Sequence, residues 1–301
     1  MIYDCVIVGG GPAGLNAALV LGRARRRVAL IDNNKPRNAV THASHGFITR
    51  DGIAPSEFRS IAYEELQSYP SVEHIKTEIH AVKKVGSEFW ILDDSSESIR
   101  ARKVILATGL REIFQEIDGF KELYGKSLFN CPYCDGWELR DQPLVIVAEP
   151  AAIMHVAKLM YTWSKDLLIC TNGKEANLEN KHVSLLESKA IRVQVQPIRS
   201  FIGENGLLHC VQFQDGTTIP RSGGFIFPQF KQSLSFVEEL GLERTVSEGI
   251  QTDEAGRTSI AGLYAAGDAA YIQPSQLIYA AADGSRTAIS VNLDLADEDF
   301  R

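Results

Sequence analysis

Residues 5–34, CVIVGGGPAGLNAALVLGRARRRVALIDNN, decide the fold. An apolar run ends at Gly9, a helix-favouring run rich in Ala and Leu follows Gly14, and a second apolar run ends at Asp32. Strand, tight turn, helix and strand in this order form the β-α-β unit that opens a doubly wound nucleotide-binding domain. The sequence therefore predicts an α/β fold with a parallel sheet.

The glycines of this turn predict a dinucleotide site rather than a glycine turn without a ligand. Gly9 permits the turn, Gly11 lets the backbone approach a pyrophosphate, and Gly14 allows the helix to pack closely on the strand. Asp32 follows about 20 residues later, where a carboxylate can bind ribose hydroxyls. The residues expected to contact the dinucleotide are Gly9, Gly11, Pro12, Ala13, Gly14 and Asp32.

The same pattern occurs again in residues 143–173, PLVIVAEPAAIMHVAKLMYTWSKDLLICTNG. Two such units predict two Rossmann-like dinucleotide-binding domains, each with a three-layer architecture. A strand and an Ala-rich helix near the C-terminus complete the first unit, so that domain is split in sequence. We expect it to span residues 1–114 and 236–301, with the second domain inserted at 115–235.

Two further segments favour FAD as the first ligand. Residues 107–109 (ATG) follow an apolar strand, and residues 262–268 (GLYAAGD) place Asp268 at the end of another. Here the chain resembles the flavoproteins with two dinucleotide domains, in which a G-x-x-x-A-G-D segment holds FAD. The resemblance implies that Asp268 binds the FAD chain, although it could also cap a helix. It implies that Gln276 and Leu277 lie beside the isoalloxazine. It assigns to the same FAD site Asn38, His45, Val82, Thr108, Gly109 and Gly267.

A pair of cysteines in residues 131–136, CPYCDG, predicts redox chemistry. Cysteines separated by two residues can close a disulfide ring, and each can be activated as a thiolate. Structural zinc normally needs a second pair or two histidines at matching spacing, whereas Cys170 and Cys210 are far apart in apolar strand patterns. We therefore expect no metal site. Asp135 is either a proton carrier beside the dithiol or a turn residue.

The C-x-x-C-D-G motif resembles that of the low-molecular-weight thioredoxin reductase family, a class of pyridine nucleotide-disulfide oxidoreductases, and the resemblance extends over nearly the whole chain. It implies an FAD enzyme and a homodimer. By this resemblance Cys134 faces the flavin, Cys131 forms a mixed disulfide with the substrate, and Asp135 acts as an acid and base.

A narrower resemblance concerns the subgroup that oxidises small dithiols, of the gliotoxin and holomycin type. The C-P-Y-C spacing, Asn38 and residues 42–51 (HASHGFITRD) are similar to that subgroup. His45 could then act as a base near the dithiol, with a purely structural histidine as the alternative.

The second Rossmann turn departs from the family pattern. Residues 148–153 read AEPAAI, so every glycine position is filled, and Pro150 lacks a backbone N–H. Glu149 would place a carboxylate near a pyrophosphate, and only Lys174 is in reach of an NADP 2′-phosphate. We therefore expect NADPH to bind poorly or not at all.

Without NADPH, several electron routes remain open. One is a reductase fed by ferredoxin, and another is an oxidase in which a small dithiol reduces the disulfide and oxygen is the final acceptor. Ordinary NADPH-dependent reduction of thioredoxin is a third. A flavin-binding redox sensor is the non-enzymatic alternative. The expected partners are thus a thioredoxin-like protein or a small dithiol or disulfide.

The bulk properties are those of an acidic globular protein. The 301 residues carry a net charge of -7, which argues against nucleic acid or an anionic membrane as the main partner. The N-terminus lacks a signal pattern, and no apolar run in the sequence is long enough to span a bilayer. We expect a cytoplasmic protein, in which cysteines stay reduced unless they do chemistry.

Overall fold

A computed structural model describes residues 1–93, 98–270 and 276–301, and these form two compact units. The first unit comprises Met1–Ala39, Gly46–Glu112 and Phe230–Arg301. The second comprises Val40–His45 and Ile113–Gln229. Both are mixed α/β units built around a parallel sheet, which confirms the predicted fold class.

The helices and strands up to residue 113 are β1 (Ile2–Val8), α1 (Pro12–Arg23), β2 (Val28–Ile31), α2 (Pro55–Leu66), β3 (Val72–Ile75), β4 (Ile79–Val85), β5 (Glu88–Asp93), β6 (Ile99–Leu106) and β7 (Arg111–Ile113). In the sheet of the first unit the strand order is β3-β2-β1-β6-β5-β4. The strands β3, β2, β1 and β6 are parallel, while β4 and β5 continue the sheet in antiparallel pairing.

The second part of the chain contains α3 (Phe120–Leu123), β8 (Leu128–Phe129), α4 (Pro132–Asp135), β9 (Leu144–Val147), α5 (Ile153–Met160), β10 (Leu167–Cys170), α6 (Asn180–Ser188), β11 (Arg192–Gln194), β12 (Ile198–Glu204), β13 (Leu207–Phe213), β14 (Thr218–Pro220), β15 (Gly223–Ile226) and β16 (Gln229–Lys231). Its parallel sheet has the order β11-β10-β9-β15-β8, and β12-β13-β14 form an antiparallel sheet. The last elements of the chain are β17 (Leu263–Ala265), which pairs with β6 in parallel, and α7 (Leu277–Asp299).

Both parallel sheets are buried on two faces, which explains the continuous apolar runs of their strands. Along β1, Cys5 and Ile7 enter one hydrophobic cluster, whereas Val6 and Val8 enter another. Successive side chains of a strand point to opposite faces, so both clusters need apolar residues. The residues of β9 alternate in the same way between two clusters of the second unit.

The helix α1 packs directly on α7, and small residues allow the close approach. A Cβ at Gly284 would lie 2.0 Å from the carbonyl oxygen of Ala13, and the side-chain amide of Asn16 donates to the carbonyl of Ala281 at 2.8 Å. Within the described ranges, no helix is long and apolar enough to cross a membrane.

Candidate active site

The turn between β1 and α1 forms an open cradle of backbone. Gly9 has φ of +115°, and a Cβ there would lie 2.2 Å from the carbonyl oxygen of Ala107. A Cβ at Gly11, by contrast, meets nothing within 4 Å. The backbone at Gly11 therefore faces open space at the start of α1, which begins at Pro12 and continues through Ala13. A helix N-terminus in this position suits the phosphates of a dinucleotide.

Asp32 lies directly after β2, at the carboxyl edge of the same sheet. Its Oδ1 accepts from the backbone N–H of Gly10 at 3.2 Å, and its Oδ2 accepts from the Tyr63 hydroxyl at 3.0 Å and from Arg59. These contacts fix the carboxylate, and Oδ1 keeps further acceptor capacity for a ribose hydroxyl. Arg59 and Tyr63 could not be recognised from the sequence, because their only signal is a spacing of four residues on one face of α2.

A buried hydroxyl after β6 points to a polar ligand. The Oγ1 of Thr108 is buried and has no hydrogen-bond partner among the described residues. Gly109 follows with φ of +66°, and a Cβ there would meet nothing within 4 Å. Because buried polar groups are nearly always hydrogen-bonded, this hydroxyl fits a site that FAD would complete.

A three-residue charge network surrounds the segment after β17. Asp268 lies in a short 3-10 turn, Gly267–Ala269, and its carboxylate accepts from Arg37 at 3.2 Å. Arg37 also donates to Glu112 at 2.7 Å. Asn38 lies in the same 3-10 turn as Arg37. Neither Arg37 nor Glu112 was found from the sequence, because only the fold brings them to Asp268.

The remaining residues assigned to the FAD site lie at the start of α7 and in the hydrophobic core. Gln276 precedes α7, where Leu277 is the first residue, and a Cβ at Gly46 would lie 3.4 Å from the Gln276 amide nitrogen. Val82 lies on β4 opposite Ile91, and only 1% of its surface is exposed. The Val82 side chain is therefore part of the hydrophobic core.

The two cysteines of C-P-Y-C are joined by a disulfide, with their Cα atoms 5.2 Å apart. The short helix α4 brings them together, since Cys131 lies just before its first residue and Cys134 lies inside it. The backbone N–H of Cys134 donates to the Cys131 sulfur at 3.2 Å. Both cysteines are half-buried, and the neighbouring Tyr133 and Trp137 are 68% and 66% exposed. The disulfide thus lies near the surface of the second unit.

Asp135 follows the disulfide directly and titrates near neutrality. Burial raises its pKa to about 7, while His45 lowers the pKa and Glu138 raises it to smaller extents. The Nε2 of His45 lies 3.6 Å from a carboxylate oxygen of Glu138. His45 belongs to the same unit as the disulfide, and its electrostatic effect reaches Asp135. Glu138 had no signal in the sequence beyond its position four residues after Cys134.

The second Rossmann turn lacks the open backbone of the first. Since β9 ends at Val147 as β1 ends at Val8, the residues Ala148, Pro150 and Ile153 occupy the places of the three glycines. A 3-10 turn, Pro150–Ala152, precedes α5. This turn therefore offers a phosphate less accessible backbone than its counterpart before α1.

A cleft of about 470 Å3 nevertheless opens at the carboxyl edge of the second sheet. Apolar side chains such as Phe114, Val156 and Ile226 line much of it. At its polar side Glu149 lies 2.5 Å from Lys174, so the lysine expected to reach a phosphate is paired with a carboxylate of the turn.

Comparisons with known proteins agree on one family. The family model for pyridine nucleotide-disulphide oxidoreductases matches residues 3–284. Thioredoxin reductase tcpT of Claviceps purpurea is 31% identical over 278 residues, which cover 89% of this chain and 86% of that protein. The structure of TrxB from Bacillus anthracis, described as a thioredoxin reductase, is 47% identical, with a TM-score of 0.94 over 99% of both chains. HlmI is 35% identical, with a TM-score of 0.92 over 99% of this chain and 94% of that chain.

Proposed function

The chain belongs to the pyridine nucleotide-disulphide oxidoreductase family, and on that premise we propose that it passes electrons between FAD and the Cys131–Cys134 disulfide without using NADPH as the direct donor. It is an oxidoreductase of the thioredoxin reductase-like type, as its C-x-x-C-D-G motif predicted. The proposed electron route rests on one observation. A disulfide lies beside a carboxyl group that titrates near pH 7, in a unit whose Rossmann turn has other residues at all three glycine positions.

The residues of the first unit fit FAD. Gly9 and Gly11 leave room for its pyrophosphate, Asp32 has an oxygen for its ribose, and the unpartnered hydroxyl of Thr108 can bond to it. When bound, FAD supplies an acceptor and donor of two electrons. The protein holds this group at the carboxyl edge of a parallel sheet, which is where such folds bind dinucleotides.

The Cys131–Cys134 pair is suited to thiol–disulfide exchange with a substrate that carries two thiols. A substrate thiolate attacks the Cys131 sulfur, a substrate–Cys131 bond forms, and the Cys131–Cys134 bond breaks with Cys134 leaving as a thiolate. A second substrate thiolate then displaces Cys131, so the substrate becomes a disulfide and both cysteines are reduced. The reverse sequence reduces a substrate disulfide. The hydrogen bond from Cys134 N–H to the Cys131 sulfur would stabilise negative charge on Cys131.

The second unit supports a donor other than NADPH. Pro150 lacks a backbone N–H, and Glu149 both neutralises Lys174 and places a carboxylate at the turn. A small dithiol with oxygen as the final acceptor, or ferredoxin as an electron donor, would supply a route that bypasses this cleft. A thioredoxin-like protein or a small dithiol is then the partner, and a cytoplasmic homodimer remains a prediction.

One observation favours a second candidate, an NADPH-dependent disulfide reductase. The cleft of about 470 Å3 lies at the carboxyl edge of a parallel sheet, the usual location of a dinucleotide. In this alternative the nucleotide would have to break the pair between Glu149 and Lys174 before its phosphates could use the lysine.

An anaerobic titration of the FAD-loaded protein separates the two candidates. Dithiothreitol and NADPH are added in separate experiments, and flavin absorbance is followed. We expect stoichiometric bleaching by dithiothreitol and none by NADPH on the same time scale. Rapid stoichiometric bleaching by NADPH would overturn the proposal and establish the NADPH-dependent reductase.

A further inference from the structure

Three titratable side chains, those of Asp135, His45 and Glu138, interact electrostatically in the unit that carries the disulfide, and the role of Glu138 is unassigned. Its carboxylate lies 3.6 Å from the Nε2 of His45, in an ion pair whenever the histidine is protonated. The side chain of His45 is 21% exposed and that of Glu138 is 41% exposed. Among the described residues, His45 and Glu138 are the charged groups that act on Asp135. His45 and Glu138 lie on different segments of the second unit.

We propose that Glu138 is a positioning residue that holds the His45 imidazole toward Asp135, so that the Asp135 carboxyl can take up and return a proton beside the Cys131–Cys134 disulfide. The proposal rests on the proposed function of the dithiol and adds a residue that controls its proton transfer. The positioning effect of Glu138 acts through its contact with the imidazole.

The proton has a defined path in the exchange step. The carboxylate of Asp135 takes the proton of the substrate thiol, and the resulting thiolate attacks the Cys131 sulfur. The bond between Cys131 and Cys134 breaks, Cys134 leaves as a thiolate, and Asp135 returns the proton to it. The products are a substrate–Cys131 disulfide and a Cys134 thiol, so atoms, electrons and protons balance. A carrier is most efficient when it titrates near the working pH.

Glu138 affects Asp135 in two opposite ways. Its own negative charge favours protonation of Asp135, and this effect is smaller than the opposite effect of His45. Its contact with Nε2 also holds the imidazole of His45, whose electrostatic effect lowers the pKa of Asp135. Through His45, Glu138 therefore favours ionised Asp135. The indirect effect exists only while the histidine is present.

Because the indirect effect needs His45, Glu138→Gln should shift the pKa of Asp135 in opposite directions when His45 is present and when it is replaced. The rate at which dithiothreitol opens the disulfide is measured in the FAD-loaded protein by rapid mixing, acid quench, maleimide labelling and mass spectrometry. Rates are collected between about pH 5 and 9, where carboxyl-controlled exchange should change, and corrected for the thiolate fraction of the reagent. Asp135→Asn identifies the inflection that belongs to Asp135, because it should abolish that inflection.

We expect Glu138→Gln to move the inflection upward by about half a pH unit, since it removes the ion-pair contact that holds His45 toward Asp135. His45→Asn should also move the inflection upward. In the His45→Asn background, Glu138→Gln should move it downward, because only the direct effect remains. Glu187→Gln, an exposed change on α6 of the same unit, serves as the matched control and should leave the profile unchanged.

A shift of the same sign in both backgrounds, or no shift, would overturn the proposal. If His45→Asn does not fold, His45→Gln takes its place in the cycle. The readout is the disulfide itself, so failure of this proposal is distinguishable from failure of the flavin-bleaching experiment, which tests the electron route.

Discussion

At Asp135 the fold keeps a carboxyl group largely away from water, one residue after a cysteine, and burial is the main reason that its pKa rises to about 7. In the unfolded chain the same group has its ordinary value of 3.8. Between these values the native state binds more protons than the unfolded state. The contribution of Asp135 therefore makes the protein less stable as the pH rises from about 4 to about 7.

Asp135→Asn should remove this pH-dependent cost. Asparagine has nearly the same shape but no charge, so the variant should be more stable than the wild type at about pH 8, by roughly 2 to 4 kcal/mol, and nearly equal to it at about pH 4. Urea unfolding at both pH values measures the difference. Asp297→Asn, an exposed change on α7, should show no such pH dependence. Equal stability of Asp135→Asn and the wild type at pH 8 would contradict the raised pKa.

At this scale the sequence predicts residues with a local pattern and misses those that the fold brings in. Asp135 directly follows a C-x-x-C motif, and Asp32 has the separation in sequence from Gly9 that is typical of a ribose-binding acid. Arg37 and Glu138 have no such pattern, because their partners lie 231 residues away in one case and on a separate segment in the other. Which charges meet is decided by tertiary packing.

At the scale of the element, two glycines of the turn before α1 have different roles, one in packing and one in binding. A Cβ at Gly14 would lie 1.8 Å from the carbonyl oxygen of Gly9, whereas a Cβ at Gly11 meets nothing within 4 Å. Gly14→Ala should therefore destabilise the flavin-free protein by about 1 to 3 kcal/mol. Gly11→Ala should leave that stability within about 1 kcal/mol of the wild type and weaken FAD binding by roughly tenfold, because the methyl enters the phosphate space.

Urea unfolding of the flavin-free proteins and FAD titrations monitored by flavin fluorescence measure the two effects separately. The variants serve as controls for each other, since each introduces one methyl group into the same turn. Unimpaired FAD affinity in Gly11→Ala would mean that the pyrophosphate does not lie over this backbone. An unchanged stability of Gly14→Ala would mean that helix and strand are not packed as closely as the geometry shows.

In the equivalent turn of the second unit, we expect a substitution to increase the affinity for a dinucleotide. Glu149→Gln removes the carboxylate from the turn and releases Lys174 from its pair. We expect NADPH to bind about three- to tenfold more tightly, because both side chains are largely solvated and their pairing is weak. Isothermal calorimetry measures the affinity. Adding Lys174→Gln should cancel the gain, and Glu187→Gln should produce none. Equal affinity of Glu149→Gln and the wild type would show that this pair does not control the cleft.

At the scale of the whole molecule, the repeated β-α-β pattern made the α/β class predictable, because each parallel strand is buried on both faces and reads as an apolar run. The assignment of residues 40–45 to the second unit could not be predicted. That short segment has no periodic pattern. A Cβ at Gly125 would lie 2.5 Å from the carbonyl oxygen of Val40, so close backbone packing holds it there. This arrangement brings His45 into the unit that carries the disulfide.

The electron route through both units predicts that FAD binding and flavin reduction can be separated. Cys134→Ser leaves every residue of the FAD cradle intact, so the protein should remain yellow with an unchanged FAD content. The rate at which dithiothreitol bleaches the flavin should fall by about 100-fold or more, because the variant has no Cys131–Cys134 disulfide to carry electrons to the flavin. Cys131 should still be alkylated in this variant. Stopped-flow absorbance under anaerobic conditions measures the rate.

Photoreduction in the presence of EDTA provides the control, since it reduces the flavin without the dithiol and should proceed in Cys134→Ser as in the wild type. Cys210→Ser, which changes a cysteine that forms no disulfide and lies on β13, should bleach normally with dithiothreitol. If Cys134→Ser were bleached as fast as the wild type, electrons would reach the flavin directly from the thiol reagent. The disulfide would then have no part in the route, and the second unit would serve another purpose than electron transfer.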